Sequence, residues 1–195
     1  MMGQAGALHV DDGGTGAGLP VVFVPSLAGC AGQFAAQLAH LRRTRRALVA
    51  EPRGHGRSGF TPGAAISLAA YADDVERAVN GSGLDRFVLA GHSMGGAIAC
   101  HVASRLPDRV AGLVLLDPAS DGREVPADAA QAMLAALASP AYAETIEAYW
   151  LPMLGPSTPA VRAQVMADLR ATPAEVVRRS LEALLSFDPV AALGG

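Results

Sequence analysis

Ser93 lies in the stretch LAGHSMGGAIA, Leu89 to Ala99, with glycines at 91, 95 and 96. A serine hydroxyl attacks a carbonyl only when a base within hydrogen-bond reach takes its proton, and that base normally needs a third group to orient it. Gly-x-Ser-x-Gly therefore points to acyl transfer and raises the question of what activates Ser93. Five letters alone decide little in a chain with 22 glycines. Their setting says more, because RFVLA reads as a strand ending at Gly91 and MGGAIACHVA as a helix beginning at Met94. On so sharp a bend Gly91 and Gly95 remove side chains that would collide, and Gly96 lets the helix lie close to its strands. The helix start brings a positive dipole end and a free Met94 amide that can stabilise an oxyanion. A second amide is expected from the loop PSLAGCAGQF, whose glycines permit close backbone approach, with Leu27 as the donor. The alternative is an ordinary glycine-rich turn between a strand and a helix.

The elements that must hold this bend recur as strand-helix units. LPVVFVP, RALVAEP, DRFVLAGHS and RVAGLVLLDP read as four strands, apolar throughout as parallel strands buried on both faces are. AGQFAAQLAHL follows the first strand as a helix, and SLAAYADDVERAVN carries Leu68, Tyr71, Val75 and Val79 at helical spacing. MGGAIACHVASRL is a helix stopped by PDR, since proline disfavours helical geometry in the residue before it. The fold class is α/β, a mostly parallel sheet flanked by helices. Beyond Asp117 several alanine-rich helical patterns are separated by prolines, without a convincing strand. The expected organisation is a core over residues 1–120, a helical cap over 121–187 and the start of a return to the core over 188–195.

With 51% hydrophobic and 17% charged residues, the composition is that of a folded domain with a real core. The 15 basic residues are all arginine, against 18 acidic ones, for a net charge of −3. The densest basic run, RRTRR at Arg42 to Arg46, reads as a solvated helix end, and no nucleic-acid partner is expected. Cys30 and Cys100 are too few for a disulfide framework and read as free thiols. MMGQAGALHV lacks a basic targeting region, and no window approaches the roughly 18 unbroken apolar residues of a membrane helix. A soluble, cytoplasmic chain with no membrane partner is expected. No His, Asp, Glu or Cys cluster shows ligand spacing, so neither a metal nor another cofactor is expected.

None of the five histidines reads as the base. His101 is eight residues past Ser93 on the following helix, roughly 12 Å along its axis. The His92 side chain diverges from that of Ser93 and is expected to pack against neighbouring strands. His55 is expected on the active face at the pocket rim, and His40 and His9 at the surface or an edge.

VFVPSLAG, EPRGHGRSG, GHSMGG and LVLLDPA, in this order and spacing, resemble the α/β-hydrolase superfamily, over about Leu8 to Leu193. The chain departs from that pattern at Pro25 and Ser26 in the oxyanion loop, where relatives often carry His-Gly or His-Ser, and at Glu51, where aspartate is usual and the residue shapes a turn. The resemblance implies a serine hydrolase acting on an ester, thioester or other small acyl substrate through an acyl-enzyme on Ser93. It also implies that the acid and histidine follow the cap, that SFDPVAALGG precedes the acid-bearing strand, and that the chain is incomplete at its C-terminal end. Some relatives place the acid directly after the fourth of the strands above, where Asp117 stands; an aspartate there also commonly only caps the turn. Tyr142, Tyr149, Trp150, Met153 and Leu154 would either line an apolar acyl pocket or pack inside the cap. Two other readings remain: a non-catalytic binding module that lost its histidine and acid, and a site completed by a partner chain. As an open edge, AGLVLLD is expected to favour self-association.

Overall fold

Five strands form one sheet in the order β1-β3-β2-β4-β5. They are β1 (His9–Gly13), β2 (Val21–Val24), β3 (Ala47–Glu51), β4 (Phe87–His92) and β5 (Val110–Leu116). The computed structural model describes residues 7–194, so the Met1–Gly6 stretch read for targeting, and Gly195, lie outside it. Four strands were expected, and β1 is the addition. HVDDG has one large apolar residue and no strand-like alternation, yet it pairs antiparallel with β3, His9 opposite Glu51 and Gly13 opposite Ala47. Arginine holds it there: Arg42 reaches Asp11 Oδ1 at 2.6 Å, and Arg46 grips Asp12 with Nε at 2.9 Å. The RRTRR run is thus partly an anchor for β1, not only a solvated helix end.

The other pairings are parallel, with β2 central between β3 and β4. Alternate residues of β2 enter opposite layers, as period-two geometry dictates. Val21 and Phe23 pack with Phe34 and Leu38 on one face, and Val22 and Val24 join the larger cluster of Tyr71, Val75, Met94 and Ile98 on the other. Phe34 ends a 3-10 turn, Ala31–Phe34, and Leu38 lies on α1 (Ala35–Leu41). The second layer consists of α2 (Leu68–Gly81), capped by the Ser67 hydroxyl on the Ala70 amide, and α3 (Met94–Arg105). β5 closes the described sheet, and its Val114, Leu115 and Leu116 remain 37–42% exposed.

Four helices follow: α4 (Ala127–Leu137), α5 (Tyr142–Met153), α6 (Pro159–Ala171) and α7 (Ala174–Leu185). The short α8 (Pro189–Ala192) comes last. Pro126 and Pro173 stand just before α4 and α7 and Pro159 opens α6, whereas Pro152 lies inside α5. Leu137, Ile146, Leu169, Val176 and Leu181 share one apolar cluster with Tyr71 and Ile98. The cap helices therefore have no separate core. Tyr71 Oη also meets Ser180 Oγ at 2.7 Å in the buried seam between α2 and α7. No described helix is long and apolar enough to cross a membrane.

Candidate active site

Ser93 lies between the end of β4 and the start of α3 with φ 52° and ψ −119°, a conformation strained for a residue with a Cβ. Its backbone is held there. The Ser93 amide donates to Leu116 O at 3.1 Å, and its carbonyl accepts from Gly96 N at 2.8 Å and Ala119 N at 3.1 Å. The neighbouring glycines are needed for backbone approach. A Cβ on Gly91 would lie 2.2 Å from Gly95 O, and one on Gly95 would lie 2.1 Å from Val24 O. A Cβ on Gly96, expected to let the helix lie close to its strands, would lie 2.7 Å from Pro118 Cβ beyond β5 and 3.5 Å from Gly91 O on β4. The Met94 side chain is buried, and its amide takes part in no hydrogen bond among the described residues.

Across from the elbow, the loop after β2 turns through Ala28 at φ 59°. The left-handed residue is thus an alanine, not one of the loop's glycines. The Leu27 amide, like that of Met94, has no acceptor among the described residues. Gln33 fixes the loop: its Oε1 accepts from Ser26 N at 3.0 Å, and its Nε2 reaches Ser26 Oγ at 2.9 Å and His92 Nδ1 at 3.0 Å. Sequence reasoning missed Gln33, because a polar residue in AGQFAAQ looks like any solvent-facing helical position. Beneath it, buried Glu51 accepts from Ala31 N at 2.8 Å and from Arg57 N at 2.7 Å, tying the 3-10 turn to the turn after β3.

No described histidine hydrogen-bonds the Ser93 hydroxyl. His55 is not at the pocket rim: it is wholly buried, its Nδ1–H donates to Arg53 O at 3.1 Å, and its ring lies edge-on to Tyr71. Burial pushes its pKa down to about 4. His92, expected to pack against strands, lines the cavity beside Ser93 and faces Gln33. Burial lowers its pKa against the pull of Asp117. His101 packs against Phe187, His40 meets Arg43, and His9 lies in β1 with a buried Nε2 that has no partner among the described residues.

A cavity of about 450 Å³ opens over Ser93, bounded by Leu27, His92 and Asp117 on the core side and by Trp150, Leu154 and Leu169 on the cap side. Tyr149 and Met153 also line it, whereas Tyr142 does not border it. Gln164 and Asp168 on α6 add polar atoms that the sequence did not flag. Asp168 Oδ2 accepts from Cys30 Sγ at 3.3 Å, and burial pushes that thiol up to about 11. Asp117 is exposed at φ 42°, and its carboxylate takes no backbone N–H, so it does not cap the turn. Among the described residues no group of three or more His, Cys, Asp or Glu side chains is placed to hold a metal ion.

Comparison with known proteins agrees with this geometry. The model of the alpha/beta hydrolase fold matches residues 20–152. A candidate carbamate hydrolase, RutD, of Variovorax paradoxus is 31% identical over 194 residues, covering 96% of this chain and 73% of that protein. Lipase LipV of Mycobacterium tuberculosis is 41% identical over 97 residues, which cover 49% of this chain and 35% of LipV. The match thus spans only about a third of LipV. A hydrolase from Pseudomonas aeruginosa superposes with a TM-score of 0.80 at 26% identity, covering 94% of this chain and 70% of that one. A thermophilic esterase from Thermogutta terrifontis gives 0.78 at 28% identity, covering 92% and 67%. With the strained serine between β4 and α3 and the open amides around it, these matches show that the chain belongs to the alpha/beta hydrolase fold family.

Proposed function

We propose that Ser93 is the nucleophile of a serine hydrolase acting on an ester, thioester or other small acyl substrate. The observation that carries this reading is the strained Ser93 backbone at a helix N-terminus, with unpaired Met94 and Leu27 amides, opening into a largely apolar cavity. The hydroxyl loses its proton to a base as its oxygen bonds to the acyl carbon, and the carbonyl oxygen becomes an anion facing the two amides. Collapse expels the leaving group with a proton, and water then releases the acid from the acyl-serine. Trp150, Leu154 and Leu169 suit an apolar acyl chain.

No described histidine hydrogen-bonds Ser93, so this reading takes its base from beyond the described residues or from a partner chain. Asp117, which lines the same cavity as Ser93, is the candidate acid. The same lack favours a second reading, a binding module in which Ser93 is a relic.

Labelling with a fluorophosphonate separates the two readings. Ser93 is expected to react slowly in this chain, faster once the stretch of the Variovorax relative left outside the alignment is supplied in trans, and not at all in Ser93→Ala. A folded chain that stays unlabelled with that stretch supplied would overturn the nucleophile reading. The exposed Val114, Leu115 and Leu116 support pairing of β5 with a second chain, and sedimentation as a monomer at every concentration would rule that out.

A further inference from the structure

We propose that Gln33 is a positioning residue whose single amide clamps the oxyanion loop to the nucleophile elbow and holds His92 as the neutral tautomer protonated on Nε2. Its bearing on catalysis rests on the reading of Ser93 as nucleophile, but the clamp itself does not.

The hydrogen bonds determine one another. The Ser26 amide can only donate, so the Gln33 atom 3.0 Å from it is the carbonyl oxygen Oε1. The other terminal atom is then the NH2 group, which has two hydrogens for two neighbours, Ser26 Oγ at 2.9 Å and His92 Nδ1 at 3.0 Å. A donor facing Nδ1 requires a lone pair there, which leaves the ring proton on Nε2. Nδ1 is thereby occupied, and Nε2, carrying its proton, cannot take one from Ser93. His92 lines the same cavity as Ser93 but is held as a hydrogen-bond donor, which explains why a histidine adjacent to the serine is not its base.

The clamp is itself braced. Gln33 lies in the 3-10 turn whose first amide, Ala31 N, is held by buried Glu51. Ser26 stands next to Leu27, so holding both Ser26 N and Oγ fixes the approach of the Leu27 amide. A Cβ at Gly29 would come within 2.8 Å of Gln33 Oε1 and 2.9 Å of Ser26 Oγ, which shows how closely the loop wraps the amide.

The ionisable groups that share the cavity with His92 are Asp117 beyond β5, Asp168 on α6 and Tyr149 on α5. Asp117 favours imidazolium, while burial and the Gln33 N–H disfavour it. Changing Gln33→Glu would reverse that last contribution. One carboxylate oxygen still accepts from Ser26 N, while the other accepts from His92 Nδ1–H, moving the ring proton to Nδ1 and stabilising the cation.

The test is two-bond proton-nitrogen correlation NMR of the histidine rings across a pH titration. In the unaltered chain His92 is expected with an unprotonated Nδ1 and a protonated Nε2. In Gln33→Glu the proton is expected on Nδ1, with the titration midpoint shifted upward. A proton on Nδ1 in the unaltered chain overturns the proposal, as does a folded Gln33→Glu whose His92 midpoint does not move. Should Gln33→Glu fail to fold, the tautomer of the unaltered chain decides alone. Because this readout needs no turnover, absence of Ser93 labelling beside the expected tautomer would remove the nucleophile reading and leave the clamp.

Discussion

Two turns leave the same edge of the sheet from nearby strands, and they treat their polar groups in opposite ways. In the turn after β3, Asp74 receives the Arg53 amide at 2.9 Å and its guanidinium at 2.8 and 2.7 Å, and Arg77 adds a further contact. Ser58 donates to Glu51 O and accepts the His9 amide, and Glu51 receives two more amides. In the turn after β4, the Ser93 hydroxyl and the Met94 amide have no partner among the described residues, and the backbone is strained. The brace pairs its carboxylates, guanidinium and turn amides internally and leaves the buried His55 Nε2 without a partner among the described residues; a reactive site keeps its hydroxyl and an adjoining amide free and relies on its surroundings to hold the geometry.

Substitutions can break this contrast, the most damaging first. Gly95→Ala drives a Cβ against Val24 O and Pro25 O, both backbone atoms, so loss of more than about 4 kcal/mol or failure to accumulate folded protein is expected in urea melts. Asp74→Ala strands a half-buried guanidinium and is expected to cost about 3–5 kcal/mol, with Asp74→Asn intermediate.

Acid should act on the brace through His55. Its pKa falls from 6.5 to about 4 on folding, so the unfolded chain binds the proton first. Stability is full above pH 6.5 and declines as pH falls toward 4, by on the order of 3 kcal/mol in total. His55→Asn, which keeps a donor for Arg53 O without titrating, should flatten this part of the curve; an unchanged acid slope would mean that other groups govern it.

The smallest effect has the opposite sign. Ser93→Gly relieves the positive φ and is expected to raise stability by about 1 kcal/mol, whereas Ser93→Ala keeps the strain and should leave stability nearly unchanged. If Ser93→Gly instead destabilised as much as Asp74→Ala, the elbow would be a second brace and the contrast would fail.

Much of the elbow was legible in the sequence because its constraints are local. Glycines on either side of one serine, between a valine-rich strand and an apolar helix, specify a bend with little help from the rest of the chain. The parallel strands were equally plain, being apolar on both faces. What escaped reading depends on partners far along the chain. β1 is a strand because Arg42 and Arg46 pair with its aspartates and β3 offers an edge, and HVDDG shows neither. His55 is drawn inward by Tyr71, and Gln33 takes its role from Ser26 and His92, seven and 59 residues away. Cap residues such as Asp168 and Leu169 reach the cavity through helix packing that periodicity does not orient.

The cap helices share their apolar cluster with α2 and α3 and are stitched to α2 through Tyr71 and Ser180. Swinging them outward would expose the protein's own interior, so heat should melt roof and floor in one cooperative step. Traffic to and from the cavity is then expected past Met153 and Val161, lining residues that are 56% and 50% exposed, and added bulk there should slow entry without altering the melting temperature.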